Sequence, residues 1–133
     1  MKYSKKEIFH LLSYIAGIAV FIFLFFFFIT ASWIGFGVKE NCQAAVNNYG
    51  GECVDALMHL IEDENADFDD KNSAVWALGQ LGDKKALPFL QKYYNGEVNH
   101  QRCNRGETLC QFELQKAVKL LDGGLNISAF VWR

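Results

Sequence analysis

Residues 73–94 read SAVWALGQLGDKKALPFLQKYY, and this stretch decides the fold. Ala74, Ala77, Leu78 and Leu81 recur at the three- and four-residue spacing that lines one face of a helix. Gly82 follows as the stop. Beyond it, Ala86, Phe89, Leu90 and Tyr93 take up the same spacing. Pro88 must lie in or near the first turn of that second helix, because an interior Pro costs about 3 kcal/mol. Two short helices joined by a tight turn are therefore expected over 71–81 and 84–94.

The pattern continues on both sides. Upstream, 40–49 carries Ala44, Ala45 and Val46 and stops at Gly50-Gly51, and 52–62 places Val54, Leu57 and Ile61 on one face. A shift of 32 residues brings Ala45 onto Ala77, Val46 onto Leu78, Leu57 onto Phe89 and Ile61 onto Tyr93. Downstream, a fifth helix is expected over 109–121, opened by a capping box of Thr108 and Gln111 and closed by Gly123-Gly124. No run of alternating, β-branched residues occurs after Val38, so the class is all-α. A two-helix unit repeating at about 30–45 residues is the mark of an α-solenoid.

The segment Ala74-Val75-Trp76-Ala77-Leu78-Gly79-Gln80-Leu81-Gly82-Asp83, followed by Ala86-Leu87-Pro88-Phe89-Leu90, resembles a HEAT repeat of the short type first noted in phycobilin lyases. The resemblance is close over 73–94 and weaker over 42–61. It departs from the family where Asn72 or Ser73 stands in place of the Arg that such repeats carry at the start of the first helix. The resemblance implies an α-α superhelix that binds other proteins, and it does not imply lyase activity, since these units recur in many roles. Two repeats fall short of the three or so that a solenoid needs. The fifth helix is expected to cap the open end, and disulfides to add stability that a small core lacks.

The N-terminal part is of another kind. Of 133 residues, 51% are hydrophobic, but the average hides a split: 11–38 holds no Asp, Glu, Lys or Arg, and includes FIFLFFFF at 21–28. An apolar stretch from Leu11 to Ile34 suffices for a hydrocarbon core of about 30 Å, which takes roughly 20 helical residues. Ser4 and Glu7 form a capping box at its start, Trp33 sits where an interfacial aromatic belongs, and Gly35 and Gly37 are read as its exit. A cleaved signal ending near Thr30 or Ser32 is the alternative, but the stretch exceeds the roughly 7–15 apolar residues of such signals. The chain is thus divided into an N-terminus with a single transmembrane helix, 1–38, and a helical domain with an apolar tail, 39–133.

Lys2, Lys5 and Lys6 precede the span and only Lys39 follows it closely, which places the N-terminus in the cytoplasm and the domain outside. Cys42, Cys53, Cys103 and Cys110 all lie after the span, an even count that fits two disulfides in an oxidising compartment. Of the three possible pairings, the local one, Cys42–Cys53 with Cys103–Cys110, is expected.

Residues 39–133 carry net charge −4 with no basic run, which excludes a nucleic-acid binder. Asp63, Asn65, Asp67 and Asp69 alternate as calcium-loop ligands do, but Phe68 stands where such a loop has Gly and Ala74 where it has Glu. A solvated link that caps the next helix is the preferred reading. His100, Cys103 and Cys110 match no standard zinc spacing. His10, His59, Ser73 and Ser128 have no evident catalytic partners, so no enzyme, cofactor or small-molecule substrate is expected. Trp76, Tyr93, Tyr94, Phe130 and Trp132 are candidate partner-binding residues, because Trp and Tyr dominate binding hot spots. The tail Leu125–Arg133 (LNISAFVWR) is too apolar for a free end: it folds back on the last helix, returns to the membrane interface, or enters a partner.

These readings give a membrane-anchored, extracytoplasmic interaction scaffold or accessory protein, its partner another envelope or membrane protein. The alternatives are an accessory subunit of a larger membrane complex and a calcium-dependent sensor built on the acidic link.

Overall fold

A computed structural model describes residues 4–98, 103, 106 and 108–133. Among them the chain is helical, with no strand: α1 (Lys5–Tyr49), α2 (Cys53–Glu62), α3 (Phe68–Leu81), a 3₁₀ turn (Lys84–Ala86), α4 (Leu87–Gln91), α5 (Gln111–Leu121) and α6 (Ala129–Trp132). The all-α class read from the sequence holds.

α1 passes through the expected exit as unbroken helix. It runs for 45 residues, about 68 Å at 1.5 Å per residue, through Gly35, Gly37 and the boundary at Val38 without a break. The apolar stretch and the helix expected over 40–49 are one rod. The reason lies in what packs on it. A methyl group placed on Gly35 would lie 2.5 Å from Trp132 Cβ, and one on Gly37 would lie 3.3 Å from Trp76 Cη2. Both glycines are points of close approach, and neither is a stop. At the start of α1, the Ser4 N–H donates to Glu7 Oε2 at 2.8 Å, as the capping box requires.

The core sits where the C-terminal part of α1 meets α2, α3, α4 and α5. Ala45, Leu57, Ile61, Ala74, Val75, Leu78, Leu90, Leu114 and Leu121 are buried in one cluster. α3 lies at its centre, packed on α1, α2 and α5. α5 lies along α3 as the expected cap of the open end, close enough that a methyl group on Gly79 would stand 2.7 Å from Ala117 Cα. Gly82, at φ 66°, closes α3 in the left-handed conformation that glycine adopts freely.

Three boundaries differ from the sequence reading. α3 begins at Phe68 and not near 71, with Asp67 at its N-cap and Asp69 and Asp70 in its first turn, where negative charge favours the helix dipole. The fourth helix is five residues long behind a 3₁₀ turn, with Pro88 in its first turn. Leu90 is buried in this hairpin, whereas Phe89, which the 32-residue shift sets against the buried Leu57, is half-buried. α5 begins at Gln111 with Cys110 at the N-cap, so Thr108, exposed in a bend, does not cap it.

Candidate functional site

Two cysteine pairs lie at disulfide distance, Cys42 with Cys53 and Cys103 with Cys110, with Cα–Cα separations of 5.0 and 4.9 Å. The first ties α1 to the start of α2. The second ties the preceding loop to the N-cap of α5. Both are the local pairs expected from the sequence.

Asn72, named in the sequence only as a departure from the family, joins α3 to α5. It is buried, its Oδ1 accepts the Cys110 N–H at 2.8 Å, and its Nδ2 donates to the Phe68 carbonyl at 2.6 Å. One amide therefore satisfies an orphan backbone donor at the head of α5 and fixes the disulfide's inner cysteine. Lys85 pairs with Asp55 at 2.5 Å, which bridges the 3₁₀ turn ahead of α4 to α2. The Asp55 carboxylate raises the Lys85 amine above its ordinary value.

The acidic link is a turn. Asp63 Oδ2 accepts from the Tyr49 hydroxyl at 2.7 Å, and Oδ1 accepts from the Asn65 N–H at 2.8 Å. The Tyr49 hydrogen bond first, then the Asn65 N–H, hold the Asp63 carboxyl below its ordinary value, and the hydrogen bond to Asp63 raises the Tyr49 phenol. With Asp67 at the cap and Asp69 in the first turn, Asp63, Asn65, Asp67 and Asp69 serve the α2–α3 connection. No group of three or more His, Cys, Asp or Glu side chains able to hold a metal occurs among the described residues. His100 lies outside the described residues, and with it the zinc reading that included Cys103 and Cys110.

The candidate partner residues divide. Trp76 is half-buried against α1 at Gly37. Tyr93 is half-buried, its ring 5.3 Å from that of Phe89 and its phenol raised by burial. Tyr94 is half-buried, its hydroxyl accepting from Gln115 Nε2 at 3.4 Å. Trp132 packs on Gly35, its indole N–H buried without a partner. Phe130 alone of the five is open, at 84% exposure. Ser73 Oγ donates to the Asp69 carbonyl and Ser128 Oγ to Asn126 Oδ1, which commits both hydroxyls to local turns.

An open groove of about 400 Å³ runs between α3 and α5. Phe68, Asp69, Asn72, Ser73, Trp76, Cys103 and Glu113 line it. It joins an apolar floor to a rim of two carboxylates. A second hollow, about 360 Å³, lies under the tail and is lined by Asn126, Ala129, Phe130 and Arg133.

Comparison with known proteins meets this geometry at one place. The model of the PBS lyase HEAT-like repeat matches residues 71–96, the α3–α4 hairpin and the residues just after it. The HEAT-like character of that hairpin is therefore supported by the match as well as by its spacing. No curated protein and no solved structure gives a significant match. A HEAT-like repeat suggests a protein-interaction scaffold. Near the N-terminus, α1 is long and apolar enough to cross a membrane, a test that a signal sequence also passes.

Proposed function

We propose that the chain is a single-pass membrane protein that holds another membrane or envelope protein against its HEAT-like domain on the extracytoplasmic side. The observation that carries this reading is the continuity of α1. The same helix supplies the apolar length and the first helix of the first repeat, so the domain has no linker and any bound partner is held at a fixed height. Cleavage of a signal near Thr30 or Ser32 would cut this rod just before Gly35 and Gly37, where Trp132 and Trp76 pack. The excess of Lys before the span and the two cysteine pairs after it support the outward orientation.

The α3–α5 groove is the binding face in this reading, with Trp76 on its floor and Asp69 and Glu113 at its edge. A photo-crosslinking residue at Glu113, against one at His59 on the exposed face of α2, tests it in cells. A discrete adduct with one membrane protein from Glu113 and none from His59 is expected. Equal, diffuse labelling from both positions would reject the groove as the binding face. The accessory-subunit reading has one observation in its favour, a notch on the apolar part of α1 at Gly17, bordered by Ser13, Tyr14, Ile18 and Phe21. Stoichiometric co-migration of a partner in mild detergent would favour it.

A further inference from the structure

The tail is fastened to the domain on one side and bare on the other. Asn126 Nδ2 donates to Gln80 Oε1 at 2.9 Å, the Arg133 guanidinium donates to the Gln80 carbonyl, Ala129 is buried, and Trp132 lies on Gly35. On the opposite side Leu125, Ile127 and Phe130 are exposed at 75%, 56% and 84%. Three large apolar side chains bare to solvent within a fastened nine-residue segment call for a cover.

The position of the segment indicates which cover. Gly35 stands immediately after Ile34, the end of the apolar stretch, so Trp132 is held at the level where the span would leave the hydrocarbon. Trp33 and Phe36, exposed at 76% and 70%, lie within one turn of that contact. The tail and these exposed aromatics therefore lie at the same level along α1. Exposed Lys39, about one turn farther along, and exposed Arg133 bring positive charge to the level of lipid phosphates. A second protein covering this face would itself have to sit in the headgroup layer.

We propose that residues 125–133 lie in the interface of the bilayer that α1 crosses, with Leu125, Ile127 and Phe130 at the boundary of headgroups and acyl chains. The inference rests on the reading of α1 as a span. The domain then stands on the membrane at two points, the rod and the tail, and cannot swing about the rod.

The test uses the full chain in phosphatidylcholine nanodiscs carrying a lipid with a nitroxide high on its acyl chain. Line broadening is read at the Trp33 indole, at the tail amides and at the α2 amides. Loss of signal at Trp33 and across the tail, with α2 unaffected, is the expected result. Loss at Trp33 with the tail as sharp as α2 would overturn the tail's placement and leave the span standing. Sharp signals at both would overturn the span, and with it this inference. Gly35→Leu supplies a second arm: a larger side chain has no room under Trp132, so tail broadening should fall while the α2, α3 and α5 resonances keep their positions. Unchanged tail broadening in that variant would overturn the role of the Gly35 contact in holding the tail at the interface.

Discussion

Replacing Asn72 by Ala isolates the link between the HEAT-like hairpin and its cap. The side chain is buried, and it is the partner of the Cys110 N–H, itself on a residue only 1% exposed. Truncation leaves that N–H unpaired in a place water does not reach easily, at a cost of about 1–3 kcal/mol. A domain of this size loses roughly 4–8 °C of melting temperature per kcal/mol. The expected fall is therefore about 5–20 °C. Asn72→Asp keeps an acceptor for Cys110 and loses only the donor to the Phe68 carbonyl, so it should recover part of the loss at neutral pH. The assay is thermal unfolding of the full chain in mild detergent, followed by near-ultraviolet circular dichroism. That signal reports aromatic packing and is not swamped by helix that α1 retains. A melting temperature for Asn72→Ala within about 2 °C of the wild type would refute the reasoning, since it corresponds to less than half a kcal/mol.

Four further outcomes follow from the same structure. Asp63 has its folded value depressed, so its hydrogen bonds stabilise the fold above the unfolded value of about 3.9 and that stabilisation fades as pH falls through the folded value. Tyr49→Phe should lower the melting temperature at neutral pH and converge with the wild type in acid; a gap that persists unchanged at low pH would contradict this. Changing Cys42 and Cys53 together to Ser opens a loop of sequence separation 11 and should cost about 3 kcal/mol, and an unchanged melting temperature would argue against a structural disulfide. Leu57→Ala, at a fully buried position, should cost about 2–5 kcal/mol by denaturant titration, whereas Leu125→Ala in detergent should stay within about 0.5 kcal/mol. Gly79→Val should push α5 off α3 and lower stability by about 1–3 kcal/mol, because the obstructing atom, Ala117 Cα, is backbone and cannot swing aside.

The helical hairpins were legible because their burial follows a period. Ala74, Ala77, Leu78, Leu57 and Ile61, placed on inner faces by spacing alone, are all buried. The local cysteine pairs were legible for a similar reason, since short loops close readily. What stayed hidden depends on residues distant in sequence. A glycine in a helix weakens it by only about 0.5–1 kcal/mol relative to Ala, and nothing near Gly35 announces that Trp132 will lie on it. The unbroken passage of the rod through Gly35 and Gly37 therefore could not be read from the sequence. Thr108 and Gln111 have the chemistry of a capping box, but the Asn72 bond and the Cys103 bridge fix Cys110 as the head of α5. The acidic link suggested ligands by its alternation; Tyr49, 14 residues away, takes the Asp63 carboxylate instead. Of the proposed partner contacts, the aromatic types could be named from sequence, but which of them face solvent could not: Trp76, Tyr93, Tyr94 and Trp132 are packed, and Phe130 is open.

The anchored, outward-facing domain is tested most directly by labelling intact cells that express the full chain with a membrane-impermeant maleimide, with and without prior reduction. The account predicts labelling only after reduction, because Cys42, Cys53, Cys103 and Cys110 would lie outside the membrane and be paired. Labelling that requires lysis and needs no reduction would contradict it: the thiols would be free and inside the cell, and neither the orientation nor the disulfide-stapled domain would stand.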